Sequence, residues 1–165
     1  MTYLTYVLKV VMIKIFNYFL ILFFISILAA HSKIIKPKET IKPIKVVKIQ
    51  LEGLKKNDLL YKDNGIEQTW EFAHPNNKIF TGPLERFKEM IKSDSYKMLL
   101  NHKNHKVNEV YSDEKKAVFE VVVMDNEKKY FMFKWQVEKY MKNGPLKNCW
   151  LTTVVSTPIP LGSSI

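Results

Sequence analysis

The sequence predicts an α+β fold because the spacing of its apolar residues changes once along the chain. Before about residue 100, apolar residues recur every three or four positions, as on one face of a helix. From about residue 105 they alternate with polar residues, as in strands with one buried face. A block of helices followed by a block of strands favours an antiparallel sheet covered by helices. We therefore predict three helices packed on a curved antiparallel sheet of about four strands, preceded by an N-terminal apolar helix.

Residues 1–30 are predicted to be a signal peptide or a membrane anchor. They contain no Asp or Glu, and the 16 residues from 15 to 30 include only Asn17 and Ser26 as polar residues. A spanning helix needs about 20 apolar residues and a signal-peptide core about 7–15, so both interpretations stay open. Leu28 disfavours cleavage after Ala30, because Leu28 stands at a position where a small residue is preferred. We expect residues 7–30 to contact a membrane and to direct the chain to a membrane or the secretory pathway.

The charge of the chain is concentrated at its N-terminal end. The net charge is +10, and residues 1–46 carry seven Lys against one Glu, whereas residues 47–165 carry 19 basic and 15 acidic residues. Residues 31–41 are predicted to be a basic linker. The rest is only mildly basic and has no dense basic patch, so no nucleic-acid partner is expected. The single cysteine, Cys149, excludes an internal disulfide framework.

The three predicted helices follow one another with short breaks. The first has Pro43 in its first turn, and the second begins after residues 63–64 and is stopped by Pro75. The third begins at Thr81, whose hydroxyl is predicted to cap free backbone N–H groups. A short helical turn is predicted after it. The apolar stripes of the three helices are Ile44, Val47, Leu51 and Leu54; Ile66, Trp70 and Ala73; and Leu84, Phe87 and Ile91.

Four strands are predicted in the second half of the chain. Residues 116–124, 128–139 and 148–156 alternate or are rich in β-branched and aromatic residues, and a weaker strand lies around residues 105–111. Residues 159–165 are predicted to be a C-terminal tail. The folded domain is therefore predicted to span residues 42–158.

Several motifs in residues 46–155 resemble those of an uncharacterised domain-of-unknown-function family with bacterial and plant members. They are "QLEGL", "GIEQTWEFAHPNN", "TGPLERF", "YKMLLNH" and the late "CW". That family is similar to the nuclear transport factor 2-like superfamily. The resemblance implies a cone-shaped α+β domain, and a homodimer through the sheet is common in it. One departure is that Thr153 and Val154 stand where an acidic residue and a glycine are expected.

The stretch "HPNNKIFTGPLERF" contains the candidate site residues. His74 and Glu71 are the candidates for a catalytic base, although most of the motif is explained as a connection between two helices. Arg86 is the only arginine among 26 basic residues, so we predict that its planar fork clamps the "HPNN" segment or Glu67 and Glu71. His102 and His105 are predicted to lie in a solvated connection. No metal site and no cofactor are predicted.

Two functions follow from this interpretation. The first is a membrane-targeted, non-catalytic ligand- or protein-binding module with a cone-shaped pocket. The alternative is a small cofactor-free enzyme of the isomerase, dehydratase or hydrolase type, acting on an apolar ligand in the cone. A titratable side chain inside the pocket would distinguish the enzyme from the binding module. The resemblance to plant members adds an alternative location, a plastid-type organelle reached through a signal followed by a transit-like segment.

Overall fold

The computed structural model describes residues 34–163, together with residues 9, 11–16 and 18 near the N-terminus. The chain divides after Lys33 into two units. Residues 9, 11–16 and 18 are helical, and the rest of the predicted signal or anchor lies outside the described residues. None of the helices formed by the described residues is both long and apolar enough to cross a membrane.

Four α-helices precede the sheet within residues 34–163, one more than the sequence predicted. They are α1 (Pro43–Lys55), α2 (Asn64–Glu71), α3 (Pro75–Thr81) and α4 (Leu84–Lys92). A 3-10 helix over Lys97–Leu99 follows and confirms the predicted short turn. The additional helix is α3, which occupies most of the predicted connection.

The short helix α3 begins where the sequence predicted a helix end. Pro75 does not terminate α2, which already ends at Glu71, but occupies the first position of α3. Proline suits that position because its missing N–H would have no helical partner there. The backbone of His74 is extended, and its ring nitrogen Nδ1 accepts a hydrogen bond from the N–H of Asn76 at 3.1 Å. An imidazole therefore performs the capping that Ser, Thr, Asp or Asn usually performs.

The sheet is antiparallel and contains five strands within the described residues. They are β1 (Asn104–Ser112), β2 (Lys116–Met124), β3 (Lys129–Lys139), β4 (Trp150–Val155) and β5 (Ile159–Ser163). The order is β1-β2-β3-β4, and β5 pairs with β3 beside β4. Register shifts interrupt the β1–β2, β3–β4 and β3–β5 pairings. Such bulges bend strands and increase their twist, which suits a sheet that curves around helices.

The predicted C-terminal tail is wrong for residues 159–163, which form β5. Met132 pairs with Ile159 and Phe131 with Pro160, so this strand extends the same edge of β3 that β4 occupies further along. Proline and glycine weaken strand propensity, and all five residues of β5 are exposed. The usual signals of a buried strand are therefore missing from this segment.

One core lies between the helices and the inner face of the sheet. Alternate residues of β2 and β3 are buried, as the period-two pattern predicted. The apolar faces of α1 and α4 contribute to the same buried cluster as these strands. Helix α1 lies against α2 so closely that Gly53 and Gly65 face each other without side chains. The buried core includes Val46, Val47, Leu51, Leu54, Ile66, Phe72, Phe87, Ile91, Leu99, Phe119, Val121, Val123, Phe133, Trp135 and Val137.

Candidate functional site

A cavity of about 100 Å³ lies between the helices and the sheet. Its wall is largely apolar, and all four α-helices contribute residues to it. Polar side chains are grouped at two places, one deep in the core and one near α3. The lining consists of Gln50, Leu54, Thr69, Ala73, Asn77, Thr81, Phe87, Met90, Ile91, Tyr96, Leu99, Trp135, Thr152 and Val155.

The deep polar group is a hydrogen-bonded network centred on Gln50. Its side-chain oxygen accepts from the Trp135 indole N–H at 3.1 Å and from the Thr152 hydroxyl at 2.6 Å. Its amide nitrogen donates to the carbonyl oxygen of Thr69 at 3.0 Å. Gln50 is only 1% exposed, so this network satisfies a polar group that would otherwise be costly to bury.

The segment around His74 is fixed to the first residues of β4. The His74 N–H donates to the Thr152 carbonyl oxygen at 2.8 Å, and the Thr152 N–H donates to the carbonyl oxygen of Phe72 at 2.7 Å. Ala73 and Thr152 thereby form a parallel bridge outside the main sheet. The Asn77 amide approaches the same Thr152 carbonyl oxygen at 3.4 Å. The motif therefore attaches the α2–α3 junction to the sheet beside the cavity.

The two candidate catalytic residues do not face the cavity. His74 uses its Nδ1 to cap α3, and its ring lies against Tyr140 with centroids 5.4 Å apart. Burial lowers the pKa of His74 below its usual value. The Glu71 carboxylate pairs instead with Lys36 at 2.8 Å. Neither residue lines the cavity, so the structure does not bring them together at one reactive centre.

The predicted clamp by Arg86 is not formed. Glu67 pairs with Lys88 at 3.0 Å and Glu71 with Lys36, so both proposed carboxylate partners are occupied by lysines. Within residues 34–163, Arg86 makes no hydrogen bond or ion pair, and it is exposed. Its aliphatic stem lies over Gly82, where a Cβ would come within 2.7 Å of Arg86 Cδ. Arg86 therefore covers the α3–α4 turn with its methylene groups rather than with its guanidinium fork.

Replacing Arg86 should consequently have little effect on folding. We expect Arg86→Lys and Arg86→Ala each to lower the free energy of unfolding by less than about 1 kcal/mol, since exposed residues without partners contribute little. Urea denaturation of both variants beside the parent checks this. A loss of 2 kcal/mol or more in Arg86→Lys, on the order expected for a buried charged bond, would restore the clamp.

The predicted helix cap at Thr81 is also wrong. Thr81 is the last residue of α3, and its hydroxyl donates to the Asn77 carbonyl oxygen one turn earlier at 2.9 Å. The residue preceding α4 is Pro83, which forms no side-chain cap. Gly82, at φ 79°, reverses the chain between the two helices. The "TGP" run therefore ends one helix and starts another within three residues.

Two histidines that were predicted to lie in a solvated connection are His102, which is buried, and His105, which is half-buried. His102 is 2% exposed, and its Nδ1 lies 2.7 Å from the carbonyl oxygen of Leu99. Its Nε2 lies 2.8 Å from His105 Nδ1, and His105 Nε2 lies 3.7 Å from a carboxylate oxygen of Glu52. Burial lowers the pKa of His102 to about 4 and also lowers the pKa of His105. Both imidazoles are therefore neutral near pH 7.

The only titratable side chain among the described cavity-lining residues is Tyr96. It is half-buried, and burial raises the pKa of its phenol above the usual value, which keeps it protonated. Within residues 34–163, the Tyr96 hydroxyl has no hydrogen-bond partner. In the same part of the chain, no three His, Cys, Asp or Glu residues lie close enough to hold a metal ion.

Three cavity residues were not predicted from the sequence, namely Gln50, Thr152 and Tyr96. Gln50 carried a usable signal, because it lies three residues after Val47 and four before Leu54 and so falls on the apolar face of α1. A polar residue on a buried face needs a partner, which marks it as a candidate for a network. Thr152 and Tyr96 carried no such signal, since their positions depend on how the sheet and helices pack.

These features define an α+β domain with a largely apolar cavity beneath its helices and a neutral polar network at one end. Residues 36–145 match the family described as Domain of unknown function (DUF4864), and the chain belongs to this family. The comparison confirms the resemblance to an uncharacterised family. No curated protein and no solved structure matches the chain. Strands β4 and β5, including Thr152, lie beyond the matched residues.

Proposed function

We propose that this protein is a membrane-targeted, non-catalytic binding module of the nuclear transport factor 2-like cone type, whose cavity holds a small apolar ligand. The observation that carries the proposal is the composition of the cavity lining. Apolar side chains form most of its surface, and its polar groups are neutral. Ligand pockets commonly combine an apolar wall with a few placed polar groups.

The deep end of the cavity is arranged to orient a ligand rather than to react with one. Gln50 is held by three hydrogen bonds, so its amide has little freedom to move. The Thr152 hydroxyl donates to Gln50 and keeps oxygen lone pairs that accept a hydrogen bond. None of these groups is an acid, a base or an activated nucleophile at neutral pH.

The Tyr96 hydroxyl is the polar group of the cavity lining that can form a hydrogen bond with a ligand. Tyr96 lines the cavity, and its hydroxyl makes no hydrogen bond within residues 34–163. The oxygen is open to solvent, because every buried side-chain polar atom of the described residues has a partner, so a ligand would replace water at this hydroxyl. A protonated phenol can donate to a carbonyl or ether oxygen of a ligand or accept from a hydroxyl. We therefore assign to the ligand one oxygen-bearing polar group near Tyr96 and an apolar body along Leu54, Phe87 and Met90.

The size of the cavity limits what it holds in this conformation. A volume of about 100 Å³ is below the roughly 300–1,000 Å³ of ordinary ligand pockets. The ligand is therefore only a few heavy atoms across, or α3 moves outward to admit a longer one. Because none of the described residues of α3 is buried, such a movement would expose little core.

The cavity does contain one titratable side chain, Tyr96, which is the feature that would favour the enzyme alternative, but a protonated phenol supplies an acid and not a base. His74 and Glu71 are engaged outside the lining, and the raised pKa of Tyr96 disfavours a phenolate. The fold class, four helices over an open five-stranded antiparallel sheet, supports the cone proposal. Membrane contact through residues 7–30, localisation to a membrane, the secretory pathway or a plastid-type organelle, and a homodimer through the sheet are parts of the same proposal.

Native mass spectrometry of the full chain, purified in mild detergent, tests the binding proposal. We expect a fraction of the protein to carry a co-purified molecule. Tyr96→Phe should lower the occupied fraction roughly threefold to tenfold, the effect of one lost hydrogen bond. Val155→Phe, which adds bulk at the cavity wall, should abolish it.

Tyr111→Phe is the matched control, since Tyr111 is exposed on β1 and does not line the cavity. It should leave the occupied fraction unchanged. Equal occupancy in Tyr96→Phe, Val155→Phe and the parent would place the ligand elsewhere. A fully empty protein from its native source, together with measurable turnover of a small substrate, would favour the enzyme instead.

A further inference from the structure

Helix α3 has two faces with opposite surroundings. Asn77 and Thr81 line the cavity on one side. On the other side, Ile79 is 78% exposed and Phe80 is 82% exposed. No described large apolar side chain is more exposed than these two, and they are neighbours on the thin wall that separates the cavity from the outside. Single exposed apolar residues are ordinary, but an adjacent aromatic and β-branched pair over a ligand cavity indicates a surface that meets an apolar partner.

Two basic residues belong to α3 or contact the turn that follows it. Arg86 lies over Gly82, the residue that follows α3, and its guanidinium pairs with no carboxylate within residues 34–163. Lys78 belongs to α3 itself, and its ammonium group lies over the Trp70 ring at 5.1 Å. An apolar tip with cations at its edge is the arrangement by which peripheral segments enter the headgroup region of an anionic bilayer.

The length of the chain before the domain points to the same partner. The apolar run ends at Ala30, and α1 begins at Pro43. Most of the predicted linker is bound to the domain, since Ile35 exchanges hydrogen bonds with Gln68 and Lys36 pairs with Glu71. The chain from Ala30 to Ile35 reaches at most roughly 18 Å when fully extended. A membrane-bound N-terminal segment would therefore keep the domain within about one domain diameter of the bilayer. The net charge of +10 adds attraction to an anionic surface.

We propose that α3 is a membrane-contacting element, in which Ile79 and Phe80 insert into an anionic lipid surface and Arg86 binds headgroup phosphate. This inference rests on the proposed function, because it assumes a membrane-targeted chain with a ligand cavity. It adds the route of the ligand. With α3 against the bilayer, the cavity wall formed by Asn77 and Thr81 faces the lipid phase, from which an apolar molecule passes into the cavity without crossing water.

The test uses the full chain in lipid vesicles with an environment-sensitive fluorophore on Phe80→Cys. Cys149 is 2% exposed and its thiol pKa is raised by burial, so labelling favours the introduced cysteine. The matched control is the same label on Leu59→Cys, since Leu59 is 71% exposed in the α1–α2 connection. The α1–α2 connection contains Asp63, which pairs with Lys92 in the last turn of α4. Because α3 joins the other end of α4, the connection lies away from α3.

In vesicles of phosphatidylcholine with phosphatidylglycerol, and with iodide on both sides, we expect quenching at position 80 to be at least fivefold weaker than at position 59. Arg86→Glu should reduce that protection by half or more. Pure phosphatidylcholine should give weaker protection than the anionic mixture. Equal quenching at the two positions overturns the proposal.

Vesicle flotation of the same samples separates this inference from the proposed function. A chain that floats with equally quenched labels is membrane-bound without using α3, which overturns only the inference. A chain that does not float overturns membrane targeting and the inference together. Protection at position 80 that grows with protein-to-lipid ratio indicates a second copy of the chain on α3 and also overturns the proposal.

Discussion

Gly65→Ala is expected to prevent stable folding of the domain. A Cβ on Gly65 would lie 1.9 Å from the carbonyl oxygen of Gly53 and 2.5 Å from its carbonyl carbon, and 2.8 Å from the Cα of Asn57. All three contacts are with backbone, so no side chain can rotate away. The helices α1 and α2 would have to separate to admit one methyl group.

Separating the two helices would also break the hydrogen bonds that join them. The Gly65 N–H donates to the Asn57 carbonyl oxygen at 2.9 Å, and the Ile66 N–H donates to the Asn57 side-chain oxygen at 3.0 Å. Overpacking a core ordinarily costs about 1–3 kcal/mol, and each buried group left without its partner adds about 1–3 kcal/mol. We expect a loss above about 4 kcal/mol, a large part of the stability of a small domain.

Gly53→Ala is the matched control at the same crossing. Its Cβ would meet Gly65 O at 3.2 Å and the Gln68 side chain at 3.3 Å, which small shifts can relieve. Alanine also favours a helix interior over glycine by about 1 kcal/mol. Urea unfolding should therefore place Gly53→Ala within about 1 kcal/mol of the parent. Similar losses in both variants would show that the crossing tolerates separation and that the argument from close approach is wrong.

The parts of the fold that the sequence predicted are those with a regular buried face. Helices α1 and α4 carry apolar residues at helical spacing, and strands β2 and β3 alternate over nine or more residues. A regular period is a local property of the chain, so it can be found without knowing what the element packs against. The change from helices to strands along the chain was predicted from the same signal.

The missed elements lack a buried face. Helix α3 has no buried residue, and β5 is exposed along its length, so neither leaves an apolar period in the sequence. α3 exists because Pro75 and His74 start it and because the neighbouring backbone is bonded to Thr152, which is more than 70 residues away in the chain. A contact at that separation is decided by tertiary packing, which local propensity does not report.

The candidate site was predictable only in its general character. A cavity under the helices followed from the fold class and from the family resemblance. The polar network was not predicted, since Gln50, Trp135 and Thr152 come from one helix and two strands. His102 was assigned to solvent because "NHKNH" is polar throughout, yet its ring is buried beside Leu99. Whether a side chain just before a strand is buried depends on the helix that packs over it, which the local sequence does not show.

Lowering the pH from 7 to 4 is expected to remove roughly 3 kcal/mol of stability through His102. In the unfolded chain a histidine has a pKa near 6.5, whereas burial lowers the pKa of His102 to about 4 in the folded protein. The folded state therefore binds fewer protons between these values. The stabilisation is fully present above about pH 6.5 and is lost progressively as the pH falls to about 4.

The surroundings of His102 explain why its ring remains neutral. Its Nδ1–H donates to the carbonyl oxygen of Leu99, and its Nε2 accepts from His105 Nδ1. Protonating His102 would place a second donor against that donor. The lysines of α1 that face the pair, Lys55 and Lys48, oppose added positive charge, while Glu52 favours it. Burial also lowers the pKa of His105, so protonation of either ring is disfavoured in the folded protein.

His102→Gln isolates this contribution. The variant loses stability at pH 7, but it no longer has a proton to gain at position 102 when the chain unfolds. The difference in unfolding free energy between parent and variant, measured by urea denaturation followed by tryptophan fluorescence from pH 7 to pH 4, should shrink by roughly 2–3 kcal/mol.

His74→Gln is the control, because His74 is only half-buried and caps an exposed helix; its difference from the parent should change by less than about 1 kcal/mol. Subtracting the curves removes the carboxylates, which titrate equally in every variant. Parallel curves for the parent and His102→Gln would show that His102 does not resist protonation in the folded state.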